Sequence, residues 1–114
     1  MIYARKVQRT AEFYQRFFGF EQVTSGTAGV IELTSPNGGA GILIHQAAKS
    51  VKLGQVGVKL VFDVNDVESF KKRSAKLGLR FGSTHQAEGY LFANAKDPDK
   101  NSVSISSRAY RDDA

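Results

Sequence analysis

The side chains of this chain that could carry a proton or hold a metal are few: His45, His85, Glu32 and Glu88 are the first to weigh. Each histidine reads first as a surface or hydrogen-bonded residue, with proton transfer as the alternative its near-neutral pKa allows. Glu32 would serve as a general base only if burial raised its pKa. A metal site assembled from these four is a further alternative. No cysteine is present, which excludes disulfides, thiolate ligands and a cysteine nucleophile. Nothing has the spacing of a nucleophile triad or a phosphate-cradling loop. A second group mixes aromatics with a few polar residues: Tyr3, Arg5, Glu32, Lys59, Tyr90, Phe92, Asn94 and Ser104. That mixture suits a small-molecule pocket, apolar in body with a handful of orienting groups.

These residues need elements to hold them. Residues 2–7 read as a strand. Residues 8–18 place Phe13 with Phe17 and Tyr14 with Phe18 at helical spacing, and Gly19 stops the helix. Strand character follows at 20–25, 29–35 and 40–46, with turn chemistry at Ser25-Gly26-Thr27 and Ser35-Pro36-Asn37-Gly38-Gly39. After a linker from Lys49 to Gly54, residues 57–63 predict a strand. Asn65 is the expected N-cap, with Glu68 closing a capping box before a helix to about Leu77 and a stop at Gly78. Strands are expected at 79–84, 89–95 and 102–107, with a tight turn at Asp97-Pro98-Asp99-Lys100-Asn101. Each half therefore reads strand, helix, glycine stop, three strands. One helix covers only one face of a four-stranded sheet, so each half leaves the other face open.

Alternation along the strands sorts the faces. If Val58, Leu60 and Phe62 pack on the helix, Lys59 and Val61 face the open side. Val103 and Ile105 go under the helix and leave Ser102, Ser104 and Ser106 open. The same parity, carried between halves through Pro36 and Pro98, puts Val30, Glu32, Tyr90, Phe92 and Asn94 on open faces, and selects Tyr3 and Arg5 in the first strand. A plainer reading makes Arg5, Glu32 and Lys59 an ion-pair network across a dimer seam, and Tyr90 and Phe92 ordinary strand-face packing.

Thr10-Ala11-Glu12-Phe13-Tyr14, Phe18-Gly19-Phe20-Glu21, Phe62-Asp63-Val64-Asn65-Asp66-Val67 and Asp97-Pro98-Asp99-Lys100-Asn101, in that order, resemble the vicinal oxygen chelate superfamily, which includes glyoxalase I, extradiol dioxygenases and bleomycin-resistance proteins. The family's last turn commonly has Gly where Lys100 stands, a change expected at most to alter the turn type. The resemblance implies an α+β fold: two βαβββ modules, about 1–48 and 55–108, forming curved mixed sheets with helices on the outer face of a single domain over 1–114. Metal-using members take one ligand from the first and last strand of each module. By that pattern one position falls before Met1, and the others fall on Lys59, on Ser104, and near Ile42 or Ile44. An ammonium, a hydroxyl and an isoleucine are poor ligands, so neither the family's metal nor any other cofactor is expected.

Composition narrows the classes further. The chain has 114 residues, 41% hydrophobic and 24% charged, so general disorder is excluded. No apolar run reaches the roughly 20 residues that span a bilayer, and residues 1–10 lack a signal-peptide core. A cytoplasmic protein without membrane contact is expected. The net charge of +5 is scattered, with one cluster at Lys71-Lys72-Arg73 that reads as a solvated helix face rather than a nucleic-acid site. It favours anionic ligands over cationic ones such as bleomycin. The leading expectation is binding of a small anionic or aromatic molecule in a sheet-lined cavity, in a homodimer. The alternatives are a metal-dependent lyase, isomerase or dioxygenase of the lactoylglutathione-lyase type with altered ligands, and a pure partner-binding module.

Overall fold

The computed structural model describes residues 1–23 and 29–112. The Ser25-Gly26-Thr27 turn lies outside the described residues. The chain divides into two compact units, Met1–Val56 with Asp97–Lys100, and Gly57–Lys96 with the residues from Asn101 onward.

In the first unit, β1 (Ile2–Ala4), β2 (Glu21–Val23), β3 (Val30–Thr34) and β4 (Ile42–Gln46) form one sheet in the order β1-β4-β3-β2, with β1 parallel to β4 and the other pairs antiparallel. Helix α1 (Val7–Phe18) packs on one face. Its apolar stripe buries Ala11, Phe13 and Tyr14 against Ala4, Leu33 and Ile44, and Phe13 meets Phe17 with ring centroids 5.1 Å apart. Gly19 ends the helix at φ +75°, a left-handed conformation that glycine adopts without steric cost.

Strand β1 is shorter than the alternation suggests. It stops at Ala4 because the chain turns into α1, whose N-cap residue, Lys6, makes no side-chain cap. The missing acceptor comes from the turn at 97–100: Asp99 Oδ1 accepts the Arg5 N–H at 3.0 Å, and its Oδ2 accepts the Thr10 hydroxyl. A carboxylate is favoured at that end of a helix dipole. Asp97 accepts the Tyr14 hydroxyl at 2.8 Å and the Asp99 N–H at 2.9 Å, so the turn is fastened to α1 by two buried acids.

The second unit repeats the plan. Strands β5 (Lys59–Asp63), β6 (His85–Ala87), β7 (Tyr90–Lys96) and β8 (Ser102–Ser106) run β5-β8-β7-β6, with β5 parallel to β8. Helix α2 (Val67–Leu77) lies against β7, and Val103, Ile105 and Ala93 are fully buried. Its N-cap is Asp66 rather than Asn65: Asp66 accepts the Ser69 N–H at 3.0 Å and the Ser69 hydroxyl at 2.9 Å. Glu68 instead meets Thr84. The Asp66 carboxyl sits below its ordinary pKa because of those Ser69 bonds.

The second strand of this unit falls at 85–87, not at 79–84. The two-residue Glu88-Gly89 connection, with Gly89 at φ +82°, fixes the register His85↔Phe92 and Ala87↔Tyr90. Residues before His85 leave the ladder, and Phe81 turns into the core against Phe70, 6.0 Å away. A short 3₁₀ turn, η1 (Arg108–Tyr110), follows β8. Among the described residues, no helix is long and apolar enough to cross a membrane.

Candidate functional site

Register alone places the expected residues of the second unit together. Across the face away from α2, Lys59, Ser102 and Lys96 form one row, Val61, Ser104 and Asn94 the next, then Asp63, Ser106, Phe92 and His85, and finally Tyr90 with Ala87. The middle strand contributes only serines, flanked by larger residues of β5 and β7. Lys59 and Asn94 join across it: the ammonium donates to Asn94 Oδ1 at 3.0 Å and lies 5.9 Å from the centre of the Phe92 ring. A cation over an aromatic face is attracted to the ring quadrupole, so this lysine is held at the surface of the aromatic pair.

Ser104 lies in register beneath that bridge and is 2% exposed. Its hydroxyl donates to the Ala93 carbonyl at 3.0 Å, so it is a floor residue rather than a ready contact for a ligand. Tyr90 and Phe92 are half-buried, with ring centres 6.4 Å apart. Two contacts complete the face that sequence reasoning missed. His85 stacks on Phe92 at 5.0 Å, and the Arg108 guanidinium lies 5.7 Å from the centre of the Tyr90 ring. The first was readable from the two-residue hairpin; the second depends on η1, which carries no strong signal.

The three expected residues of the first unit do not cluster in the same way. Tyr3 is 49% exposed and tilts against His45 at 5.5 Å. Glu32 is exposed on the same face, opposite Leu43. Arg5 lies past the end of β1, and its guanidinium donates to the carbonyls of Ala48 at 3.0 Å and Val51 at 2.6 Å. It clamps the segment after β4 rather than lining the sheet.

The positions at which relatives would hold a metal can be tested on the donors present. Lys59 offers a cation engaged with Asn94, and the Ser104 hydroxyl is spent on a backbone carbonyl. The counterpart of Ser104 in β4 is Leu43, since Ile42 and Ile44 lie on the helix side with Leu33 and Ile31. Leucine has no donor atom. These residues do not fit the group. Among the described residues, no three of His, Asp or Glu come together in a metal-holding arrangement.

Comparison with known structures supports the architecture. An integron cassette protein from the mobile metagenome of the Halifax Harbour sewage outfall superposes with a TM-score of 0.78 at 14% identity, covering 92% of this chain and 91% of its own. Lactoylglutathione lyase from Agrobacterium tumefaciens gives 0.72 at 22% identity, over 93% of this chain and 89% of the enzyme. TnmS3, an antibiotic binding protein from Streptomyces sp. CB03234, gives 0.74 at 14%, over 92% and 89%. At such identities the likeness is one of fold. No curated protein matches the chain. Residues 1–105 match the family model for the Glyoxalase/Bleomycin resistance protein/Dioxygenase superfamily. With the βαβββ order repeated and both four-stranded mixed sheets in place, the chain belongs to that superfamily.

Proposed function

We propose that this protein binds a small aromatic, anionic molecule on the open face of the second sheet, without a metal at the superfamily's usual positions. The observation that carries the reading is Lys59, whose ammonium is held between Asn94 and the Phe92 ring. A flat ligand packs on Tyr90 and Phe92, and the Lys59 ammonium beside those rings favours one that carries negative charge. The net charge of +5 draws anions toward the molecule. That TnmS3 is an antibiotic binding protein supports small-molecule binding as a use of this fold. The two units are read as the two modules of one domain, and the absence of cysteine suits a cytoplasmic setting.

A thermal-shift screen of aromatic acids on chelator-treated protein tests this. A ligand at a hundred times its Kd stabilises by about 2.7 kcal/mol, which raises Tm by several degrees in a domain of this size. Lys59→Ala and Tyr90→Ala are each expected to abolish most of the rise. An unchanged rise in both variants would place the ligand elsewhere. Binding that appears only when a divalent metal is restored would favour the metal-dependent lyase or dioxygenase reading instead.

A further inference from the structure

A cavity of about 330 Å³ in the second unit is lined by Asp63, Arg108, Ala109 and Arg111. It adjoins the aromatic face by register, because Asp63, Ser106 and Phe92 form one row across β5, β8 and β7. Two strand spacings separate Asp63 from Phe92, about 10 Å. Tyr90 connects the two places, with its ring 6.4 Å from Phe92 and the Arg108 guanidinium 5.7 Å from its centre.

The basic wall is built in place. The Arg108 N–H donates to Ser106 Oγ at 3.1 Å, Tyr110 N–H to the Ser107 carbonyl at 2.9 Å, and Ser107 N–H to the Leu91 carbonyl at 3.0 Å. The first ties η1 to β8, and the last ties its N-cap residue, Ser107, to the start of β7. Arg111 follows the turn in an extended conformation, its guanidinium donating to the Arg108 carbonyl at 3.4 Å, and both arginines border the cavity. The lining holds two guanidiniums and one carboxylate. Guanidinium is the side-chain group whose planar fork matches a carboxylate. The Asp63 carboxylate, in turn, accepts from a hydroxyl or amine.

We propose that this cavity is the polar subsite of the ligand: Arg108 and Arg111 take its carboxylate, and Asp63 accepts a hydrogen bond from a donor on the neighbouring carbon. The inference rests on the ligand reading above and narrows it to one chemical class, aromatic acids bearing a hydroxyl or amine beside the carboxylate. The aromatic body occupies Tyr90 and Phe92, within reach of Lys59.

Calorimetric titration with three probes tests it: 3-hydroxy-2-naphthoate, 2-naphthoate, which lacks the hydroxyl, and methyl 3-hydroxy-2-naphthoate, which lacks the charge. The hydroxy acid is expected to bind about tenfold or more tighter than its ester, the range of a hydrogen bond to a charged group. Arg108→Gln brings that ratio close to one, and Asp63→Asn removes the preference over 2-naphthoate. Arg111→Gln serves as a second basic variant if Arg108→Gln fails to fold by circular dichroism. Ratios unchanged in the folded variants overturn the subsite. If Phe92→Leu then still weakens all three probes, the face reading survives alone. If Phe92→Leu leaves all three untouched, the face reading fails and the subsite fails with it.

Discussion

Lys59 is fixed by an amide oxygen and an aromatic ring, and both partners come from the second strand away, across a row of serines. Strand parity was enough to put Lys59, Phe92 and Asn94 on one face, because side chains alternate strictly along a strand. Parity failed for Arg5, since it applies only while the strand lasts and β1 ends at Ala4. The buried Tyr14–Asp97 bond was not legible either, as the two residues lie 83 positions apart. Burial, and the charge of Asp97, push the Tyr14 phenol well above its ordinary 10.0. The folded state therefore keeps a proton that the unfolded chain loses above pH 10.0, so this contribution is complete below that pH and declines above it. Tyr14→Phe is expected to cost about 1–3 kcal/mol at pH 7, the penalty for removing a donor from a buried acceptor. Urea unfolding should show the gap between variant and wild type narrowing above pH 10.0. A gap that is absent at pH 7, or that widens in alkali, would contradict the assignment.

At the scale of elements, the helices and their stops were the most readable parts. Phe13, Tyr14, Phe17 and Phe18 have the helical period, and Gly19 and Gly78 both end their helices at positive φ. Strand ends were less so. Residues 79–84 have strand composition, yet the hairpin at Glu88-Gly89 sets the ladder and leaves them outside it. The turn at 97–100 shows why a motif departure need not change a structure. Lys100 adopts φ +68°, the left-handed region that glycine favours, and it is the only non-glycine at positive φ among the described residues. Two buried acids fasten the turn to α1, and Lys100 bears the strain. A side chain in that conformation costs about 1–2 kcal/mol, part of which glycine returns through its freer unfolded chain. Lys100→Gly should therefore stabilise by about 0.5–1 kcal/mol in urea unfolding. A loss of stability would mean that the lysine side chain itself supports the turn.

For the whole molecule, a repeated unit of one helix and four strands was visible in the sequence, because strand, helix, glycine stop and further strands recur in each half. Family and fold do not supply a ligand; the exposed face of the second sheet does more to choose one. In the proposed reading its aromatic rings, engaged lysine and Arg108 suit an aromatic anion, whereas the positions that the resemblance implies for a metal carry an ammonium, a buried hydroxyl and a leucine. The most direct measurement is an amide chemical-shift titration of chelator-treated, isotope-labelled protein with the tightest aromatic acid from the screen. Saturable shifts are expected in β5, β7, β8 and η1, concentrated around Lys59, Phe92, Asn94 and Arg108. Shifts confined to the first unit, or none without added metal, would contradict the proposed reading.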